Sequence, residues 1–543
     1  MSRVLGIDLG TTYTAVACID DYGKPVVLKN SDGRNTTPSA VFFDAPHYVV
    51  GEVALQSTLT DPQHVVQFVK RFMGAKNHRI RVGDNEYSPE FVSSLILRKV
   101  VQEAEDALGE RTDGVVITVP AYFGEAQRHA TWQAAQLAGL KVLRLINEPT
   151  AAALSYGISN RHSQPRNILV YDLGGGTFDV TILRVSKNNL EVLGVGGDSN
   201  LGGKDIDDLI MNFIEERVSE ELGCDIEWDD VSEAELRFKA EAAKRQLSGR
   251  SSVPITLKAR RQTREMVGAA TTTATTTSST RIVPPANTTT PVRIEITRDE
   301  FENLCADLLT RTELVLDVVL SRAGLEWSDI SEVLCVGGSS RMPMVREMLA
   351  RVSGKKPLLH DPDECVAKGA AIQAALLAKE SMEDVESTMR ITHVLPHSLG
   401  VAAMKNGEVF IDHIVPALTP LPFQTTRHGY TTAIDNQTSV EVRVYEGESE
   451  DPESYSAPIG TFALNVLPPR PQGLPDLSVE FLCDENARIT AIARDHDTKK
   501  ESRALLTFSN HTAEFSDGER FAVQRIDDGY GLEAELLAQA IVS

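Results

Sequence analysis

Two short segments of this chain, one domain length apart, carry the same pattern and limit what it can fold into. Val4-Leu5-Gly6-Ile7-Asp8-Leu9-Gly10-Thr11-Thr12 reads as a strand that delivers an aspartate into a glycine-threonine turn and resumes at Ala15-Val16-Ala17. Ile168-Leu169-Val170-Tyr171-Asp172-Leu173-Gly174-Gly175-Gly176-Thr177-Phe178-Asp179 repeats that design and resumes at Val180-Thr181-Ile182-Leu183. Asp172 follows Asp8 by 164 residues (172 − 8), so one element is used twice at domain spacing. A duplicated, two-lobed α/β body follows. A third buried-type strand, Val333-Leu334-Cys335-Val336, ends in Gly337-Gly338-Ser339-Ser340 and leads into the helical pattern Met344-Val345-Met348-Leu349.

The chemistry suits nucleotide phosphates. Glycine lets backbone N–H groups approach an anion and threonine hydroxyls add donors, while the aspartates are free to serve a metal. Asp8 and Asp172, facing each other across a cleft, would hold Mg²⁺ through water and neutralise the β- and γ-phosphates. No G-x-x-x-x-G-K-[ST] segment occurs, so this is not a P-loop enzyme. Either turn alone reads equally as a plain hairpin; the matched pair argues against that. Lys70, on a predicted helix over Val65–Phe72, suits an ammonium for a transferring phosphoryl group or, taken singly, a solvated face. Glu148, before Pro149, either orients water or interacts with a helix dipole.

The 543 residues leave room for about three domains of ~150 residues. Phe91-Val92-Leu95-Ile96-Val100-Val101 and Glu233 to Leu247 predict scaffold helices. Residues 271–280 are a threonine-rich tract inside a hairpin that joins Val253–Leu257 to Val292–Ile296, and residues 259–291 are expected to form a flexible surface insert. Beyond about residue 380 the pattern changes to short alternating strands such as Val440–Val444 and Ser478–Leu482, which predict an antiparallel β-sandwich. Cys18, Cys224, Cys305, Cys335, Cys365 and Cys483 have no zinc or disulfide spacing and fit a reducing, cytoplasmic compartment. The N-terminus places Asp8 where a signal peptide would stay apolar, and no run of eighteen apolar residues predicts a membrane span. With 77 acidic against 54 basic residues, a net charge of −23 repels nucleic acid and anionic lipid. Any anionic ligand needs a preformed site.

These residues resemble a known family. Ile7 to Tyr13, Val119-Pro120-Ala121-Tyr122-Phe123, Asn147 to Ala153, Tyr171 to Asp179 and Val336 to Met344 look like the ATPase motifs of the DnaK-type, seventy-kilodalton heat-shock chaperones, in the same order. The resemblance implies an actin-like two-lobed ATPase domain over residues 1–380, with lobe I over about 1–165 and lobe II over about 166–350. A linker over 381–394, a peptide-gripping antiparallel β-sandwich over 395–510 and a short tail over 511–543 would follow. It implies ATP and ADP as ligands with Mg²⁺, and Asp8 and Asp172 as holders of the hydrated metal. Gly10, Thr11, Thr12 and Tyr13 would contact phosphate, Lys70 the transferred phosphoryl, and Glu148, Thr177 and Asp179 the attacking water. Gly174, Gly175, Gly176, Gly202 and Gly203 would wrap phosphate and ribose. Glu241 and Lys244 would hold the ribose, Arg245 and Ser248 the adenine, and Gly337, Gly338, Ser339, Arg341 and Asp363 would complete the nucleoside pocket. Without the resemblance, Glu241 to Ser248 reads as an exposed helix with ordinary charge pairs.

In the sandwich, Pro396-His397-Ser398-Leu399-Gly400-Val401 and Asp435-Asn436-Gln437 carry the match. Val401, Met404, Tyr430, Ala433, Val440 and Val442 would line a groove for extended apolar peptides; alternatively the valines fill the sandwich core. The family implies a stress-response folding chaperone that exchanges peptide fast with ATP and slowly with ADP, helped by a J-domain protein and a nucleotide-exchange factor. Arg128 and Arg144 stand where interdomain contacts are expected. The linker departs from the family's leucine-rich run: with Arg390 and His393 in Thr388–His393, docking on the ATPase domain and tight coupling of hydrolysis to peptide release are left open. The chain stops where the family's helical lid begins, so faster peptide release is expected. An actin-like filament ATPase, a small-molecule kinase and a binding-only scaffold are the alternatives.

Overall fold

The computed structural model describes residues 3–44, 47–159, 164–186, 189–261, 289–380, 390–405, 407–455, 457–484 and 487–506. Lobe I is built on β1 (Val4–Leu9), β2 (Tyr13–Ile19), β3 (Gly114–Val119) and β4 (Val142–Asn147). Its sheet reads β4-β3-β1-β2 and then the short strand Pro25–Val27, with β1 antiparallel to β2 and parallel to β3. Lobe II is built on β5 (Arg166–Leu173), β6 (Phe178–Val185), β7 (Asn189–Asp198) and β8 (Glu332–Val336). Its sheet starts at Leu358–Leu359 and reads β8-β5-β6-β7, with β5 antiparallel to β6 and parallel to β8. The duplication seen in the sequence is thus a shared strand order. Gly114-Val115-Val116-Ile117-Thr118-Val119 is buried at every position, as a parallel strand covered on both faces requires.

Five helices position the site: α1 (Glu125–Leu137), α2 (Glu148–Ser159), α3 (Gly203–Leu222), α4 (Asp230–Leu247) and α5 (Cys365–Glu380). The Asp229 side chain caps α4 by accepting from the Ser232 N–H at 2.8 Å, so this helix starts three residues before the predicted Glu233. α5 returns from lobe II to pack on β1 and α2 of lobe I. Alanine makes that close approach workable: Ala151, Ala152 and Ala153 of α2 and Ala367, Ala370, Ala371 and Ala374 of α5 are all buried. At the crossing, a Cβ on Gly369 would lie 1.8 Å from the Ala151 carbonyl oxygen, so no side chain fits.

Two expectations change and one open question closes. Val65–Phe72 is not a helix; it is a strand over Val65–Val66 and a 3-10 turn over Val69–Phe72, broken by Phe68 at a left-handed φ of 57°. The hairpin Ser252–Arg261 and Thr289–Thr297 stays paired out to Arg260 and Thr289, so the ends of the 259–291 insert are ladder; residues 262–288 lie outside the described residues. The linker does dock. Arg390–Thr392 forms β9, parallel to the start of β7 with Asn189 opposite Arg390 and Glu191 opposite Thr392. The pairing uses backbone groups alone, which Arg390 leaves intact.

The sandwich has β10 (Leu399–Lys405), β11 (Glu408–Val415), β12 (Phe423–Tyr430), β13 (Ser439–Glu446), β14 (Gly460–Asn465), β15 (Leu477–Cys483), β16 (Ile489–Asp495) and β17 (Glu501–Leu505). One sheet reads β11-β10-β13-β14 and the other β12-β15-β16-β17, all antiparallel. Leu399, Val401, Val442, Val444, Val479 and Phe481 interleave between them. The predicted tail over 511–543 and residues 381–389 lie outside the described residues. Among the described residues no helix is long and apolar enough to cross a membrane.

Candidate active site

The two duplicated hairpins bring their aspartates into one charged cluster. Asp8 is next to last in β1 and accepts a hydrogen bond from the Thr118 hydroxyl at 3.2 Å, while Asp172 is next to last in β5, opposite Asp179 on β6. Glu148 opens α2, and its carboxylate accepts from the Lys70 ammonium at 2.5 Å. Lys70, which alone read as a solvated face, is 5% exposed. Burial works against its charge, but Glu148 and Asp8 beside it prevail and raise its pKa. One ammonium is thus set against four acids.

The acids show the imbalance. Burial, then the Glu148 charge, pushes the Asp179 carboxyl up to about 7, against the opposing backbone N–H groups of Tyr122 and Ala121. Asp172 and Asp8 are raised by the same two causes in the same order. The Tyr122 N–H donates to Asp179 Oδ1 at 2.9 Å and fixes that carboxylate on the lobe I side. Among the described residues no three His, Cys, Asp or Glu side chains converge tightly enough to chelate a metal directly. Hard carboxylate oxygens with excess negative charge match a hydrated divalent cation bound through its waters.

The glycine turns of the two lobes interlock. The Gly174 N–H donates to the Thr177 carbonyl at 3.0 Å, closing the lobe II turn. A Cβ on Gly175 would meet Thr12 Oγ1 at 1.9 Å, and one on Gly176 would meet the Thr11 side chain at 2.4 Å. Gly10 is equally confined: its Cβ would lie 2.1 Å from the Tyr13 carbonyl oxygen. Gly202 has backbone on its open side, with the Gly176 nitrogen 2.5 Å from where a Cβ would sit. The α3 N-terminus holds the turn through the Gly203 N–H on the Gly174 carbonyl at 3.0 Å and the Lys204 N–H on that of Gly175 at 2.8 Å.

The other expected nucleoside contacts divide. Thr11, Thr12, Tyr13, Gly175, Glu241 and Lys244 line a cleft between the lobes. Lys244 donates to the Gly203 carbonyl at 2.9 Å and to Asp207 at 2.8 Å, and Arg245 reaches both the Tyr13 hydroxyl at 2.9 Å and Glu241 at 2.5 Å. Ser248 spends its hydroxyl on the Lys244 carbonyl of its own helix at 3.3 Å. Ser339 donates to the Gly174 carbonyl at 2.9 Å, and Gly337, at φ 78°, leaves room for Asp172 Oδ1 2.5 Å from its missing Cβ. Arg341 and Asp363 pair at 2.5 Å beside Gly338, outside the lining of that cleft. Sequence reasoning missed Arg71, which donates to the Gly176 carbonyl at 3.1 Å and pairs with Asp205, tying lobe I to lobe II. Its only signal was its place beside Lys70.

With this geometry the comparison with known families is decisive: a model of the Hsp70 protein family matches residues 4–83 and 76–523. The chain belongs to the Hsp70 family. Hsp70 proteins are nucleotide-binding ATPases and chaperones that bind ATP and ADP, on an actin-like domain followed by a β-rich domain.

The Hsp70 sandwich corrects part of the expected groove. Val401 and Val442 are 2% and 5% exposed and face the opposite sheet, because alternation along β10 and β13 sends them inward with Leu399 and Val444. Met404, at 58% exposed, and Ala433 are open to solvent, and Val440 is half-buried at the rim. Tyr430 is half-buried with its hydroxyl on Asp412 at 2.6 Å. Ile434, 64% exposed beside Ala433, was not anticipated.

The sandwich also touches the ATPase domain. His397 Nε2 lies 3.1 Å from the Tyr122 carbonyl oxygen, and Glu446 accepts from the Glu125 N–H at 2.9 Å.

Proposed function

We propose that this protein is a Mg²⁺-dependent ATPase chaperone, in which the nucleotide held between the lobes sets how fast the sandwich exchanges extended apolar peptides. The observation that carries the reading is the cluster of Asp8, Glu148, Asp172 and Asp179 around Lys70, lying between two glycine turns. Asp8 and Asp172 hold the hydrated Mg²⁺, which when bound neutralises phosphate charge. Thr11, Thr12, Tyr13 and the Gly174–Gly176 turn hold the phosphates, and Glu241, Lys244 and Arg245 the nucleoside. Lys70 places its ammonium on the phosphoryl group as the bridging P–O bond breaks. Thr177 and Glu148 orient the attacking water, and Asp179 takes its proton as the new P–O bond forms. A J-domain protein and a nucleotide-exchange factor are the expected partners.

The docked β9 and the sandwich contacts on Tyr122 and Glu125 support coupling between peptide and nucleotide. The test is the off-rate of a labelled apolar heptapeptide with ATP and with ADP. Faster release with ATP is expected, and equal off-rates would overturn the coupling.

A further inference from the structure

His397 lies in the segment that leads into the sandwich, one residue before Ser398, whose N–H and hydroxyl are both held by the Glu448 carboxylate at 3.0 and 2.9 Å. Its imidazole crosses to the ATPase domain. The ring meets that of Tyr122 edge-on, with centroids 4.3 Å apart and planes at 66°. A carbonyl oxygen can only accept, so at 3.1 Å it is His397 Nε2–H that donates to the Tyr122 oxygen.

Tyr122 is held from the other side by the reacting centre. Its own N–H donates to Asp179 Oδ1 at 2.9 Å. There is little slack at that point: a Cβ on Gly197, the β7 residue paired with Asp179, would lie 3.1 Å from the Tyr122 Cβ and 3.2 Å from Asp179 Oδ1. The next residue is held too, since Arg128 Nε donates to the Phe123 carbonyl at 3.0 Å and Arg128 Nη2 to the Asn147 side chain at 2.5 Å. Every bond on the Pro120–Phe123 turn named here comes from lobe I or lobe II except the one from His397. That bond alone depends on where the sandwich sits.

We propose that His397 is a positioning residue for ATP hydrolysis, fixing the Tyr122 backbone so that its N–H holds the Asp179 carboxylate aimed at the attacking water. The proposal rests on the reading of Asp179 as the proton acceptor. It deepens that reading by naming the side chain through which the sandwich reaches it. A carboxylate mis-aimed by a fraction of an ångström still binds nucleotide but reacts slowly, because the cost falls on the transition state.

The experiment is single-turnover ATP hydrolysis by the full chain, with hydrogen exchange at the β9 amides as a readout of docking. His397→Leu, which keeps the bulk and removes the donor, is expected to lower the hydrolysis rate on the order of tenfold with unchanged ATP affinity and β9 protection. His397→Gln, which restores an N–H donor, is expected to recover most of that rate. A wild-type rate in His397→Leu overturns the proposal. So does slow hydrolysis that appears only together with loss of β9 protection and that glutamine does not rescue. Asp179→Asn separates the two readings: slow hydrolysis there with a wild-type rate in His397→Leu overturns this inference alone, whereas a wild-type rate in Asp179→Asn overturns the assignment of Asp179 beneath it.

Discussion

Asp172 and Asp179 stand directly opposite each other in the β5–β6 hairpin, whereas the matching hairpin of lobe I sets Asp8 opposite Ala15. Ala15 and Asp179 are related by the same 164-residue offset as Asp8 and Asp172. The duplication therefore kept one acid for both lobes and gave a second to lobe II alone. That second acid is the one aimed by the Tyr122 N–H. Replacing Asp179 with asparagine should slow hydrolysis by about 10²- to 10⁴-fold while ADP still binds, as read from single-turnover rates and a nucleotide titration.

Lys70 is the counter-charge of the cluster, so Lys70→Met should abolish hydrolysis and also lower the melting temperature. Removing one partner of a buried pair costs roughly 3–5 kcal/mol, because the other charge is left uncompensated. The double replacement Lys70→Met with Glu148→Gln should regain much of that stability and none of the hydrolysis. Thermal unfolding of the single and double variants checks the difference.

Gly202→Ala would push a methyl into the backbone of the Gly174–Gly176 turn, where the Gly176 nitrogen lies 2.5 Å from the added carbon. A backbone atom cannot rotate away as a side chain can. ADP affinity should fall at least tenfold, with little change in the unfolding of the sandwich; calorimetric titration measures the first and limited proteolysis the second.

Docking should depend on pH from both sides. Burial and then Glu446 raise the Glu125 carboxyl well above its usual value, with Arg128 and Arg488 opposing and Asp484 adding to the shift. Docking therefore takes up a proton there, and it weakens as the pH rises above the usual glutamate range towards the docked-state value. His393, whose Nε2 has no hydrogen-bond partner among the described residues, is pushed down to about 3 by burial and then by Arg128 and Arg144. Its contribution is full above the ordinary histidine range and is lost as the pH falls through it. Between the ordinary glutamate and histidine ranges the two proton counts cancel, so scattering-derived radii should be smallest there and should grow both above about pH 7 and below about pH 4. Glu125→Gln should remove the alkaline loss and His393→Asn the acid one.

What was legible in the sequence follows from how each signal is carried. Asp8, Asp172 and the glycine turns were readable because a strand, an acid and a glycine run are local, and their repetition at domain spacing is a second, independent mark. The surroundings of Lys70 were not readable, since the left-handed Phe68 that breaks the expected helix leaves no trace in residue type. Arg71 reaches Gly176 and Asp205 across the cleft, and no local pattern encodes a partner more than a hundred residues away. The docking of Arg390–Thr392 stayed open for a related reason: strand pairing runs through the backbone, and the residue types of the linker do not report it. Val401 and Val442 show the ambiguity of alternation itself, which gives two faces and does not say which one is covered.

The crossing of α2 and α5 at Ala151 and Gly369 puts main chain against main chain, with no side chain between to be compressed or repacked. Such a joint behaves as a fulcrum. Neither helix can slide across the other there without a main-chain clash, so any relative movement of the lobes is confined to turning about that contact, and the displacement grows with distance from it along each lever arm. Glu148 sits at the near end of one arm and β7 with its docked β9 on the other lobe, so a small tilt that reshapes the acid cluster becomes a larger movement of the strand that carries the sandwich.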